Sequence, residues 1–127
     1  MSANEKLGLP TKKMNKVAFM FDVDGTLIDG IEVYGSTYDL FQSVLLQKWK
    51  NVDVYVWSGR GEEYAKTVTQ QMINRGRLLI GDDQRKKLKY ASKSDHKSIH
   101  KKYSSVVVVD DIQDTALGDV NMIVRNK

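Results

Sequence analysis

Apolar residues along this chain gather in short runs, each stopping at a polar residue. Val17 to Phe21 ends at Asp22, Val52 to Trp57, broken only by Asp53, ends at Ser58, and Val106 to Val109 ends at Asp110. Runs of this length suit strands covered on both faces, because a strand with one wet face would alternate apolar and polar positions. Leu78 to Ile80 and Met122 to Val124 are weaker strand candidates. Between the runs the period changes to that of a helix. Ser36 with Asp39 three residues on resembles a capping box, and Tyr38, Phe41, Leu45 and Trp49 follow at helical spacing, which predicts a helix over 37–50. Glu62 to Arg75 starts with two acids, carries Ala65, Val68 and Met72 on one stripe and stops before Gly76, a C′ residue. A shorter helix is expected from near Lys93 to Tyr103 with Ile99 and Tyr103 inward, and a fourth from near Gln113.

Alternating strands and helices predict an α/β fold: a three-layer α/β/α sandwich on a mostly parallel five-stranded sheet, a Rossmann-like core. Residues 1–15 show neither period and contain Gly8 and Pro10, so they read as an arm preceding a single domain over 16–127. With 127 residues, one domain and one site are expected. The longest apolar run falls far short of the roughly 20 residues of a membrane span, so a soluble, cytoplasmic protein with no membrane partner is expected. The absence of cysteine removes disulfides, thiolate metal sites and thiol nucleophiles together.

Charge changes the picture further. The net charge is +4, yet residues 85–103 hold eight Lys/Arg against Asp95 alone, and residues 1–16 add four lysines against Glu5, which leaves the body of the chain acidic. Like-signed clusters build a local potential that favours an anionic partner.

The acids of the body fall where strands end. Asp22 and Asp24, one residue apart in extended chain, should leave the strand on the same side. Asp110 and Asp111 end another strand. In a parallel sheet the carboxyl ends form the ligand crevice, and if the two strands are neighbours, about 4.8 Å apart, the carboxylates converge. Such a cluster resists full ionisation without a cation. Oxygen-only ligands favour magnesium over zinc. Magnesium beside a carboxylate, a hydroxyl and a lysine suits phosphoryl chemistry with a carboxylate nucleophile.

Asp22-Val23-Asp24-Gly25-Thr26-Leu27 resembles the first motif of the haloacid dehalogenase superfamily, the aspartate-nucleophile phosphatases. Ser58 resembles its second motif, a lysine of the basic segment its third, and Asp110-Asp111 its fourth, in the family's order and over residues 17–124. The resemblance implies a phosphoric monoester hydrolase. Asp22 would be the nucleophile and Asp24 the acid/base; Ser58, Gly59 and Lys93 would bind phosphate, and Asp22, Asp24 (through its carbonyl), Asp110 and Asp111 would hold Mg2+. Lys93 is favoured over Lys97 as the third-motif lysine, because a residue deeper in so short a helix is carried away from the strand ends. Too few residues follow Gly25 or precede Lys93 for the family's cap, so the site should be uncapped. The layout is loosely similar to the phosphatase half of phage-type polynucleotide kinase/phosphatases, which implies a phosphorylated substrate of the nucleotide or nucleic-acid class. Arg85, Lys86, Lys87, Lys89, Lys97, Lys101 and Lys102 are expected to flank the site mouth.

Two other readings stand beside this one: a non-catalytic module of the same fold that binds anionic partners such as nucleic acid, and a phospho-acceptor receiver. Among single residues, His96 and His100 lack a third ligand and read as surface groups. Asp82-Asp83 reads as a turn and Trp57 as core, while Asp114 suits either the metal site or a helix cap. Of Asp29, Glu32 and Tyr34, on the loop that the resemblance makes a flap, the sequence selects none.

Overall fold

A computed structural model describes residues 14–30, 32–47, 50–111 and 117–124. In chain order the elements are β1 (Met14–Asp22), β2 (Ile28–Asp29), β3 (Glu32–Val33), α1 (Gly35–Leu46), β4 (Val52–Ser58) and α2 (Glu62–Asn74). They continue with α3 (Asp82–Lys87), β5 (Leu88–Ser92), a 3₁₀ turn (Lys93–Asp95), α4 (His96–Lys102), β6 (Tyr103–Asp110) and β7 (Val120–Ile123). Five strands form one parallel sheet in the order β5-β4-β1-β6-β7, and β2 and β3 form a separate antiparallel pair.

The apolar runs have the expected cause. Successive side chains of a strand point to opposite faces, and both faces are covered. Phe21, Val54, Val56 and Val109 enter one core with Phe41 of α1 and Ala65 and Met72 of α2. Ala18, Met20, Trp57, Val106 and Val108 enter the other with Ile99 of α4. The Phe21 and Phe41 rings meet edge to face at 5.0 Å, which adds to their burial. Helices therefore lie on both faces of the sheet, and no cap domain is present among the described residues. The main strands, numbered along the chain, lie in the order 3-2-1-4-5. That is the Rossmann-like order, whereas a receiver needs 2-1-3-4-5, so the receiver reading is set aside.

Several boundaries differ from expectation. Leu78–Ile80 is not a strand. Tyr38 Oη donates to the Leu79 carbonyl (3.1 Å) and accepts from its amide (2.8 Å), and Gln42 Nε2 donates to the same carbonyl (3.2 Å). Side chains of α1 thus take backbone groups that a sheet would use, and Leu79 itself is exposed. The fifth strand is instead β5, inside the basic segment, where Leu88 and Ala91 turn inward. β1 starts at Met14, so two residues assigned to the arm belong to the sheet; the rest of the arm lies outside the described residues. Helix α1 starts at Gly35, one residue before the expected cap, with Tyr34 at the N-cap and no side-chain cap. It ends at Leu46, and Trp49 lies outside the described residues. Helix α2 keeps its expected span to within a residue, and Gly76 follows it at φ +72°. The segment expected as one helix from Lys93 is a 3₁₀ turn and then α4, and Tyr103 opens β6. β7 begins two residues earlier than expected, and the helix near Gln113 with Asp114 lies outside the described residues.

Candidate active site

Because all main strands run the same way, their last residues share one end of the sheet. Asp22 ends β1, Ser58 ends β4, Ser92 ends β5 just before Lys93, and Asp110 ends β6 just before Asp111. In this strand order the connections reverse direction between β1 and β6, the switch point where the crevice opens. Phe21 pairs with Val109 across it, so Asp22 and Asp110 end neighbouring strands.

The ammonium of Lys93 sits between them, with Nζ 2.9 Å from Asp22 Oδ1 and 2.7 Å from Asp110 Oδ2. Both carboxylates are buried. Burial pushes the Asp22 carboxyl up to about 6, assisted by the Asp110 charge and opposed by Lys93 and by Thr26. Burial alone would lower the Lys93 pKa, but its bonds to Asp110 and Asp22 outweigh that and hold it raised. The 3₁₀ turn that places Lys93 is fixed by Ser92, whose Oγ accepts from the Ser94 amide (3.3 Å), while Asp95 Oδ2 accepts from the Ser92 amide (3.2 Å). Lys97, one turn on, is exposed on α4. Lys93 is thus the lysine that reaches the carboxylates.

Carboxylate oxygens of Asp22, Asp110 and Asp111 lie within 4.8 Å of one another. Among the described residues, Asp111 Oδ1 is buried without a hydrogen-bond partner. Its carboxyl is raised by burial and by its bond and charge interaction with Asp110. A buried carboxylate oxygen left without a donor costs free energy. Three hard oxygen donors so close together could hold a metal ion.

The turn after β1 is tight. The Val23 carbonyl accepts from the amides of Leu27 (3.0 Å) and Ile28 (3.1 Å), and the Gly25 amide donates back to the Ile28 carbonyl (2.8 Å). Gly25 has φ +81°, and a Cβ there would overlap the Asp111 carboxylate, 2.8 Å from its Cγ. Glycine is needed for both reasons, the left-handed backbone and the approach of the acid. Thr26, buried by the same turn, donates from Oγ1 to Asp22 Oδ2 at 3.1 Å.

The carboxylate of Asp24 lies elsewhere than expected. It is exposed, outside the triad, and both its oxygens accept from Tyr64 Oη on α2, at 2.9 and 2.8 Å. The Arg60 guanidinium lies 4.2 Å from the centre of the Tyr64 ring. Ser58 Oγ accepts from the Arg60 amide (3.0 Å), and the stem of Lys93 passes beside Gly59. Of the loop residues, Glu32 faces outward to Arg77 (3.8 Å). The Tyr34 phenol is pushed up by burial, by the charge of Asp29 and its bond with it, and least by the Asp111 charge.

Thr26 and Tyr64 were not singled out from sequence. Tyr64 had a signal: it stands in the first turn of the helix that follows a strand end, and such first turns face the crevice. The expected position of the basic segment is corrected. Lys86 and Lys87 immediately precede β5 and Lys89 is its second residue, while Lys101 and Lys102 immediately precede β6. They lie at the amino ends of the strands, away from Asp22 and Asp110. Arg85 is tied to Gln70 and Asn74 of α2. Only Lys93 of that segment enters the site. Asp82 and Asp83 form the first turn of α3, His100 bonds the Leu117 carbonyl at 2.6 Å, and Trp57 is fully buried. No family model, curated protein or solved structure matches the chain.

Proposed function

We propose that the protein is a phosphomonoester hydrolase of the haloacid dehalogenase type, working with magnesium through an aspartyl phosphate. The observation that carries this reading is the convergence of Asp22, Asp110, Asp111 and Lys93 at the switch point. The motif order from Asp22 to Asp111 supports it independently of geometry.

Asp22, Asp110 and Asp111 would hold magnesium, which supplies charge neutralisation for an incoming phosphate dianion. An oxygen of Asp22 attacks phosphorus, and the bond from phosphorus to the ester oxygen breaks. Asp24 gives its proton to the departing alkoxide, then accepts one from the water that cleaves the acyl phosphate, returning Asp22 and free phosphate. Lys93 and the Ser58–Gly59 segment hold the phosphoryl oxygens, where charge grows in the transition state. Tyr64 holds the Asp24 carboxylate at the rim, from which side-chain rotation carries it to the leaving group. Without a cap the crevice admits a bulky leaving group, and nucleotide or nucleic-acid phosphates are the substrate class proposed.

Asp22→Asn should abolish turnover of an aryl phosphate, a loss of at least about 10³-fold, since the covalent step disappears. Acid quenching of the native protein during turnover should trap a hydroxylamine-labile phosphoryl group on Asp22. Full activity of the variant would falsify the nucleophile assignment. Inactivity of the native protein on every phosphate tried, with the fold intact, would favour the non-catalytic module instead.

A further inference from the structure

The amino ends of the strands hold a second feature, separate from the carboxylates. A pocket of about 490 Å³ opens between the end of α1, the start of β4 and the start of β5. Lys50, Lys86, Lys87 and Lys89 line it over an apolar floor that includes Val44 and Val52. Among the described residues the one carboxylate in its wall, Asp53, is already engaged: it accepts from Tyr103 Oη at 2.6 Å and faces Lys16 Nζ at 3.5 Å. Four exposed lysines therefore line one concave surface, with no free acid in its wall among the described residues.

Two further lysines stand at the same end of the sheet. Lys101 and Lys102 immediately precede β6, and β1 alone lies between β4 and β6. At about 4.8 Å per strand the lysines spread over some 10 Å or more across the sheet. That exceeds a single phosphate and matches several phosphates in a row. The charges are lysines, which act as point charges and not as bidentate forks, and among the described residues the wall holds no aromatic ring. Such a surface recognises a phosphate chain without reading what the chain carries.

We infer that this basic pole binds an extended chain of phosphates, of a nucleic-acid strand or of inorganic polyphosphate, at a site separate from the carboxylate crevice. The two sites lie at opposite ends of the strands, roughly 13 Å apart along the length of β5, so a chain held at the basic pole leaves the crevice open. Occupancy of this site does not depend on the catalytic reading.

The test is equilibrium binding of labelled oligothymidine and of labelled inorganic polyphosphate to the full chain, across a salt series. With six lysines engaged, the logarithm of affinity for the single strand should fall with the logarithm of salt at a slope of about −4. Lys86→Gln with Lys87→Gln should reduce that slope by about 1.4 and leave turnover of an aryl phosphate unchanged. Asp22→Asn should bind both polymers as the native protein does. Tighter binding of one polymer identifies the source. Binding of free triphosphate as tight as that of the chains, equal binding of polyglutamate, or an unaltered slope in the double variant would each overturn the inference. Circular dichroism of the double variant separates lost binding from lost folding.

Discussion

The two ends of the sheet carry charge in opposite ways. At the carboxyl end Asp22 and Asp110 are buried, and the half-buried Lys93 meets them at 2.9 and 2.7 Å. At the amino end Lys50, Lys86, Lys87 and Lys89 are exposed and spread around a pocket. Buried charges depend on one another, because removing one leaves its partners desolvated and uncompensated. Exposed charges add their fields through water and salt, and each is individually dispensable. The first arrangement suits chemistry at one point and the second suits attraction along a surface.

Removing one lysine from each end should show the contrast most strongly. Lys93→Met takes the cation from between two buried carboxylates and should destabilise the magnesium-free protein by about 3–5 kcal/mol, while added magnesium recovers part of the loss. Lys86→Met should change stability by less than about 0.5 kcal/mol. Denaturant titrations with chelator and with magnesium measure both. Equal effects at the two positions would break the comparison.

Glycines sharpen it next. Gly25 and Gly30 both have positive φ, but only Gly25 has a neighbour where a Cβ would stand. Gly30→Ala should cost only the backbone term, about 1–2 kcal/mol. Gly25→Ala should cost more and also weaken magnesium binding, because Asp111 must move. Calorimetric titration with magnesium would read the second effect, and unchanged affinity would mean that Asp111 is not a ligand.

A pH dependence should likewise be confined to the carboxyl end. The Asp22 carboxyl lies at about 6 in the folded chain, against 3.8 when unfolded. Between those values the folded state binds more protons, so stability without metal should fall as pH rises from about 4 to 6 and stay lower above. This contribution is on the order of 2–3 kcal/mol. Asp22→Asn should remove the step, and the amino-end double variant should retain it. A native profile flat across that window would show that Lys93 and Thr26 cancel the burial of Asp22.

The strands of the centre were legible because burial on both faces leaves an unbroken run, as in Val17–Phe21 and Val106–Val109. The edges were not. Leu88–Ser92 holds a lysine and a serine among its five residues and resembles a basic loop until β4 supplies its partner. Leu78–Ile80 carries the composition of a strand but gives backbone bonds to Tyr38 and Gln42 instead. Asp22, Ser58, Asp110 and Asp111 were legible as acids and a hydroxyl at the ends of runs. The place of the Asp24 carboxylate was not, because its bond to Tyr64 joins residues forty positions apart.

What the sequence determined by itself was the class of fold and the residues at the carboxyl end, since hydrophobic period and the polar stops of the runs are local properties of the chain. Tertiary structure alone decided which lysine meets the acids and which lysines stand away from them. A run of like charges has no direction until the strand inside it is placed. Once β5 pairs parallel to β4, Lys93 follows its carboxyl end into the crevice, and Lys86 and Lys87 are left at its amino end, facing water.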